Sequence, residues 1–169
     1  IDGGLDEKKI RSSLAEVKLR PGFVECLRFL KEKNVPVAIV SYGFEYFIHV
    51  VLANNKASEL VDAVYSAIID FDSNGLLKGC KPETVVLPCN KGIFSCRFAN
   101  FFNVDFENIL AVGDSAGDMT LGYSKANCLG IAKDEAEKAK IEKYMGEVAI
   151  TEDVGPVQAW LERKLKPRS

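Results

Sequence analysis

Short apolar runs alternate with segments of helical spacing along most of this sequence, and this alternation restricts its fold more than any other feature. The strand-like runs cover residues 35–40, 61–71, 108–112, 128–132 and 148–150. The helical segments cover residues 5–18, 21–33, 45–53, 92–102, 119–126, 134–144 and 154–165. Strands that alternate with helices form a parallel sheet that is covered on both faces. We therefore expect an α/β fold of three layers, with helices on both faces of the sheet.

Composition excludes several classes of protein. The 169 residues carry a net charge of -2 and no long basic run, so we predict no nucleic-acid partner. We also predict no membrane partner, because no run of about 18 apolar residues could form a span. The polar opening segment does not have the pattern of a signal peptide. Five scattered cysteines without a C-x-x-C pair, beside one histidine, indicate reduced thiols and a cytoplasmic protein rather than a zinc site.

A turn signal follows the second strand-like run. Asp72-Ser73-Asn74-Gly75 is followed by two leucines, and Asn-Gly supplies the positive φ angles of a tight turn, so we predict a small β-hairpin. An alternative is that Asp70 and Asp72 form a D-x-D pair after an apolar strand, as a nucleophile and its acid–base partner would. The Ser-Asn-Gly that follows is typical of a turn, which favours the hairpin.

Polar groups stand where two strands end, and in parallel sheets such ends carry active sites. After the strand at 35–40, Ser41 and Gly43 offer a hydroxyl and a turn that could bind a phosphate oxygen. The alternative is that Ser41 caps the next helix. After the strand at 108–112, Asp114 and Asp118 could share a hard cation, since Mg²⁺ prefers carboxylate and water oxygens. The alternative is that these acids cap a helix start.

A lysine marks the start of a third candidate element. Lys91 stands at the beginning of the helical segment 92–102, where the positive end of the helix dipole disfavours a cation. It is more stable there if it faces an anionic ligand. Taken alone, a solvated lysine is the commoner case.

Five segments follow one another in a recognisable order along the chain. They are Leu19-Arg20-Pro21-Gly22, Val40-Ser41-Tyr42-Gly43-Phe44, Ile69-Asp70-Phe71-Asp72-Ser73-Asn74-Gly75-Leu76, Cys89-Asn90-Lys91-Gly92 and Ala111-Val112-Gly113-Asp114-Ser115-Ala116-Gly117-Asp118. In this order they resemble the motifs of haloacid-dehalogenase-like phosphatases, and within these the phosphoserine-phosphatase-like branch. The resemblance covers the chain from about Leu19 to Leu165 and implies a Rossmann-like core fold.

The resemblance also implies roles in phosphate binding and catalysis. Ser41 would be the phosphate-binding hydroxyl, and Lys91 would neutralise charge on the nucleophile and the phosphoryl group. Gly43 would leave space for the phosphate and offer a backbone contact, with Tyr42 in the same phosphate-binding segment. Tyr42 departs from the family, which usually has glycine at that position.

For the metal, the resemblance implies that Asp114 ligates Mg²⁺ and that Asp118 supports the ion directly or through water. Gly117 stands where the family often has asparagine. The chemistry that follows from the resemblance is hydrolysis of a small phosphomonoester, similar to phosphoserine, through an aspartyl-phosphate.

The family's nucleophile motif, D-x-D-x-T/V on the central first strand, does not precede Ser41 in this sequence. We expect residues 1–18 to be a remnant of a cap or linker helix and residues 19–169 to be the core without its central first strand. The polar segment around Asp2 and Asp6 does not match that motif. A missing N-terminal segment or a second chain would then complete the sheet. The competing hypothesis is an inactive relative that binds or scaffolds, and a weaker one is another phosphotransferase or phosphonate hydrolase on this fold.

Overall fold

The computed structural model describes residues 6–166, which form two compact units. The first unit contains the residues up to Leu19 and Leu30–Leu87, and the second contains Arg20–Phe29 and the residues from Pro88 onward. Our expected division into residues 1–18 and residues 19–169 stays a prediction. The expected helix start at Leu5, and Asp2, lie outside the described residues.

The first unit is built around two parallel strands. Its elements are α1 (Glu7–Leu14), the end of α2 (Phe23–Glu32), β1 (Ala38–Phe44), α3 (Glu45–Asn54), β2 (Ala63–Ala67), β3 (Ile69–Phe71) and β4 (Leu77–Cys80). Strands β1 and β2 pair in parallel, with Ala38 opposite Ala63 and Val40 opposite Tyr65. Asp6 caps α1 by accepting a hydrogen bond from the Lys9 backbone N–H at 2.7 Å.

Strand β1 continues past the predicted end at residue 40. It runs through Ser41 to Phe44, and its register with β2 shifts between Val40 and Phe44. We expected a turn at Ser41 because serine and glycine there are typical of loops. Pairing with β2 instead keeps the segment extended, and an irregularity of this kind re-aims side chains at a strand end.

The predicted hairpin is confirmed, with one correction to its turn. Strands β3 and β4 pair in antiparallel fashion, and the Gly75 N–H donates to the Asp72 carbonyl at 3.0 Å. Gly75 has a φ of 76°, but Asn74 is not among the residues with positive φ. The turn therefore uses one left-handed residue and a register shift, rather than two left-handed residues. The Asp72 carboxylate accepts hydrogen bonds from the backbone of Asn74 and Leu76, which explains this D-x-D as turn chemistry.

The second unit holds a three-stranded parallel sheet. Its elements after the first part of α2 are α4 (Lys91–Phe101), β5 (Ala111–Gly113), β6 (Cys128–Ala132), α5 (Glu135–Ile141), β7 (Glu147–Ile150) and α6 (Gly155–Lys164). The strand order is β5-β6-β7. Ala111, Cys128 and Met145 form a buried cluster against which Leu121 and Val148 pack. Trp160 on α6 is 1% exposed and thus buried.

The α/β class with parallel strands is thus confirmed, while several element bounds differ from expectation. The segment at 119–126, predicted as a short α-helix, forms two 3₁₀ turns, Ala116–Leu121 and Lys125–Asn127. The first of these turns begins earlier because Ser115 caps it, and the strand before it, predicted from 108, begins at Ala111.

Two further findings concern the chain as a whole. In residues 6–166 no helix is long and apolar enough to cross a bilayer. All five cysteines lie in the described part of the chain, and each carries a free thiol.

Candidate functional site

The Asp118 carboxylate is the centre of a compact polar cluster in the second unit. Its Oδ1 accepts a hydrogen bond from the Lys91 ammonium at 2.5 Å. Its Oδ2 accepts from the Ser115 hydroxyl at 2.7 Å and from the backbone N–H groups of Ser115 at 3.0 Å and Asp114 at 3.2 Å. Four donors therefore converge on one carboxylate, which has roughly four lone-pair positions to offer.

The ion pair in this cluster is removed from water. Lys91 is 4% exposed and Asp118 is 5% exposed. The alternative of a solvated lysine is thus wrong for Lys91. A buried ammonium at a helix start is costly unless it is paired, and the facing carboxylate offsets both the desolvation and the unfavourable helix dipole.

Two glycines allow the close approach of the elements that carry this pair. A Cβ on Gly92, the residue after Lys91, would lie 2.7 Å from the Thr120 carbonyl oxygen, so α4 reaches the 3₁₀ turn only without that atom. A Cβ on Gly113, at the end of β5, would collide with the Asp118 carboxylate. Glycine therefore stands at both positions where the backbone closely approaches another group, the Thr120 carbonyl or the Asp118 carboxylate.

The Cys128 thiol, which lies near Asp118, is protonated and unreactive. Cys128 on β6 is 1% exposed, and its Sγ donates to the carbonyls of Ser124 and Met119. Burial raises the pKa of the Cys128 thiol, and the negative charge of Asp118 adds to this rise. Cys128 is therefore a neutral packing residue, as is the buried Cys26, whereas Cys80, Cys89 and Cys96 are exposed.

Asp114 differs from Asp118 in its surroundings. It follows β5 directly and is exposed, while its backbone N–H is held by the Asp118 carboxylate. Within residues 6–166 no group of three His, Cys, Asp or Glu side chains could hold a metal ion. The donor set fits a Mg²⁺ that takes one carboxylate here and its remaining ligands from water and phosphate. Asp114 has the exposure for this, whereas the oxygens of Asp118 already accept four hydrogen bonds.

The phosphate-binding candidates at the end of β1 belong to the first unit. The Ser41 Oγ accepts a hydrogen bond from the Gly43 backbone N–H at 3.1 Å. Helix α3 begins after Phe44 and has no side-chain cap, so the alternative that Ser41 caps this helix is wrong. Ser41 is partly buried, whereas Tyr42 is 48% exposed and Gly43 is exposed.

The structure thus brings together three of the predicted site residues and places the others in a separate unit. Lys91, Asp114 and Asp118 share one cluster, and Ser41 and Gly43 share a hydrogen bond at the end of β1. The alternative that these acids cap a helix start is confirmed for Asp118. Its carboxylate accepts a hydrogen bond from the backbone N–H of Ser115, the N-cap residue of the 3₁₀ turn. Sequence reasoning gave Ser115 no role. Its signal was a capping box, in which a serine is followed three residues later by an acidic side chain.

Comparison with known proteins identifies the family. The family model for pyrimidine 5'-nucleotidase (UMPH-1) matches residues 1–153. A 7-methylguanosine phosphate-specific 5'-nucleotidase from Mus musculus is 28% identical over 134 residues, which are 75% of this chain and 44% of that protein. A phosphoserine phosphatase from Archaeoglobus fulgidus is 30% identical over 138 residues, which are 81% of this chain and 38% of that protein. The chain thus spans less than half the length of these relatives.

Solved structures show the same fold. A probable phosphoserine phosphatase from Vibrio cholerae aligns with a TM-score of 0.74 at 22% identity, covering 98% of this chain and 50% of that one. A cytosolic 5'-nucleotidase IIIB bound to cytidine aligns with a TM-score of 0.72 at 18% identity, covering 95% of this chain and 59% of that one. These likenesses confirm the Rossmann-like α/β fold. The family model matches residues 1–153, most of the chain, and this chain therefore belongs to the pyrimidine 5'-nucleotidase (UMPH-1) family.

Proposed function

We propose that this protein is a magnesium-dependent phosphatase that hydrolyses a small phosphomonoester through an aspartyl-phosphate. The observation that carries the proposal is the buried Lys91–Asp118 pair, which is joined by hydrogen bonds to the loop of Asp114. A desolvated ammonium paired with Asp118, whose carboxylate also holds the backbone of the exposed Asp114, suits the stabilisation of a phosphoryl group and its metal. In such sites positioning and charge neutralisation dominate catalysis.

In this proposal the chain supplies the groups that hold the phosphate. Lys91 neutralises charge on the phosphoryl oxygens, and the Ser41 hydroxyl with the Tyr42–Gly43 backbone binds them. The Ser41 Oγ already accepts from the Gly43 N–H, so its own proton can be donated to a phosphate oxygen. The support for these roles is the order of the motifs together with the local geometry of each segment.

The metal in this proposal is bound through Asp114, with Asp118 acting through the loop that it holds. When a divalent ion is bound at this position, it would stabilise the negative charge of the phosphate. Asp114 is suited because it is exposed and follows the end of β5 directly.

The proposed nucleophile is an aspartate on a strand that is not among these 169 residues. Its carboxylate attacks phosphorus, the P–O bond to the leaving alcohol breaks, and a second aspartate protonates that alcohol; water then hydrolyses the acyl phosphate. The sheet edges support such a strand, because among residues 6–166 β1 pairs only with β2, and β5 pairs only with β6. Such edges are normally covered in a stable protein, by a further segment or by a second chain.

Two substrate classes follow from the relatives. The family match over residues 1–153 favours a nucleoside 5'-monophosphate. The similarity to the Archaeoglobus fulgidus enzyme favours phosphoserine, as the motif resemblance also did. Both are small phosphomonoesters, and in both cases the phosphoryl group would bind to Lys91. A cytoplasmic location stays a prediction.

The test is a release assay for inorganic phosphate with the native protein, using phosphoserine, UMP, CMP and 7-methylguanosine monophosphate. We expect hydrolysis that requires Mg²⁺, is abolished by EDTA and is lost in Asp114→Asn. Mg²⁺ affinity is measured by calorimetric titration. Loss of a residue that only supports a metal ligand typically lowers the affinity for the metal roughly 10–100-fold. We expect Asp114→Asn to lower the affinity for Mg²⁺ far more than this, because Asp114 is the proposed ligand itself. Absence of hydrolysis for every substrate would favour the inactive binding protein, and activity undiminished in EDTA would contradict the metal assignment.

A further inference from the structure

The Ser115 side chain is a part of the cluster to which the resemblance assigns no role. Ser115 follows Asp114 and is partly buried, and its hydroxyl donates to Asp118 Oδ2 at 2.7 Å. This is shorter than either backbone hydrogen bond to the same oxygen, at 3.0 and 3.2 Å. The Asp118 N–H in turn donates to the Ser115 carbonyl at 3.1 Å, which closes the loop on itself.

The two oxygens of Asp118 have different partners. Oδ1 accepts from the Lys91 ammonium, which belongs to α4, while the donors to Oδ2 recorded among residues 6–166 lie in its own loop. The orientation of the carboxylate therefore determines where the ammonium lies relative to that loop. Of the three donors to Oδ2, the Ser115 hydroxyl alone belongs to a side chain, so it alone can be altered by substitution.

We propose that Ser115 is a positioning residue of the phosphate site: its hydroxyl fixes the Asp118 carboxylate, and the carboxylate fixes the Lys91 ammonium. This inference rests on the proposed function and deepens it. Ser115 touches neither phosphate nor metal in this role. Its effect is to hold Lys91 in the orientation that phosphate binding requires, and it leaves metal binding to Asp114.

The proposal predicts a separation between phosphate binding and metal binding. Ser115→Ala removes the shortest hydrogen bond to Oδ2, which lets the carboxylate and the ammonium reorient together. We expect the affinity for inorganic phosphate, measured by calorimetry in saturating Mg²⁺, to fall roughly tenfold, the scale of a lost hydrogen bond to a charged group. The affinity for Mg²⁺ should change by less than about twofold, because the backbone donors still hold the Asp114 loop.

A graded series distinguishes positioning from general stability. Ser115→Thr keeps the hydroxyl and should bind phosphate as the native protein does, while Ser115→Cys, a weaker donor, should lie between it and Ser115→Ala. The matched control is Ser124→Ala, since the Ser124 hydroxyl is also partly buried and donates to a side-chain oxygen, that of Asn127, at 3.1 Å. Ser124→Ala can lower the midpoint temperature of thermal unfolding, but it should leave the affinity for phosphate unchanged.

The outcomes separate this inference from the proposed function. If the native protein hydrolyses no phosphomonoester, the proposed function fails, and the binding of inorganic phosphate still tests the role of Ser115. If Ser115→Ala binds phosphate as well as the native protein does, the positioning role is overturned, whatever happens to its stability. A loss of phosphate affinity that is equal in Ser115→Ala and Ser115→Thr would overturn it as well, because the hydroxyl would then be irrelevant. If Ser115→Ala does not fold, Ser115→Cys decides alone, with native affinity counting against the proposal.

Discussion

The two segments proposed to hold phosphate are built on opposite principles. Around Lys91 the fold buries a charged side chain and supplies a carboxylate to compensate for it, so the group is an integral part of the second unit. At Ser41 in the first unit, a neutral, partly buried hydroxyl accepts one backbone hydrogen bond at a strand end. The difference teaches that removal of the lysine should affect stability and chemistry together, whereas removal of the serine hydroxyl should affect chemistry alone.

The largest effect is expected for Lys91→Ala. This change leaves the Asp118 carboxylate buried without its cation, which should lower the free energy of unfolding by about 3–5 kcal/mol. Activity should fall by at least about a hundredfold through the lost phosphate contact. Urea unfolding and phosphate release measure the two effects.

The control for this variant removes the buried charge as well. Lys91→Met combined with Asp118→Asn should recover much of the stability but none of the activity. If Lys91→Ala alone were as stable as the native protein, the buried pair could not be a structural requirement, and the contrast with Ser41 would disappear.

Ser41→Ala tests the other side of the comparison. Without the hydroxyl, a phosphate contact is lost, and we expect kcat/KM to fall about a hundredfold. The free energy of unfolding should change by no more than about 0.5 kcal/mol, since within the described residues the side chain makes one local hydrogen bond. A loss of stability close to that of Lys91→Ala would contradict the proposed distinction between the two segments.

Gly92→Ala sharpens the comparison by moving the lysine without removing it. The added Cβ would approach the Thr120 carbonyl oxygen to 2.7 Å, so the start of α4 must shift. We expect a loss of about 1–3 kcal/mol in the free energy of unfolding, with weaker phosphate binding. Gly79→Ala is the matched control, because a Cβ there meets nothing within 4 Å and should cost much less.

The smallest effect is expected for Tyr46→Phe in the first unit, where the charges are exposed. The Tyr46 hydroxyl donates to the Glu7 carboxylate at 2.8 Å. This hydrogen bond, followed by those from Arg11, lowers the pKa of Glu7 below its usual 4.5. A carboxyl with a lowered pKa in the folded state adds stability above its unfolded pKa and loses it as the pH falls through the folded value.

The native protein should therefore show a slightly higher urea midpoint than Tyr46→Phe at neutral pH. The difference should shrink as the pH falls below the unfolded pKa of Glu7 and vanish once Glu7 is protonated in both states. A difference that grew as the pH fell would have the wrong sign for this contact.

Turn chemistry and motif order made several features predictable, because they depend on residues that are close in sequence. The hairpin at Asp72–Gly75 follows from local hydrogen bonds and one glycine, and the helix cap at Asp134 follows from a side chain three residues before its donor. The extension of β1 through Ser41 was not predictable in this way. It depends on pairing with β2, more than twenty residues later in the chain.

The sequence by itself determined the alternation of strands and helices, the order of the motifs and the identity of the groups that could meet a phosphate, since apolar spacing and turn residues act locally. Only the tertiary structure decided that Lys91 is buried and that Asp118 accepts hydrogen bonds from both Lys91 and Ser115. The physical reason is that the lysine and the carboxylate stand 27 residues apart and meet only where α4 packs against the loop after β5. That close approach depends on Gly92 and Gly113, where any side chain would separate the backbones from their neighbours.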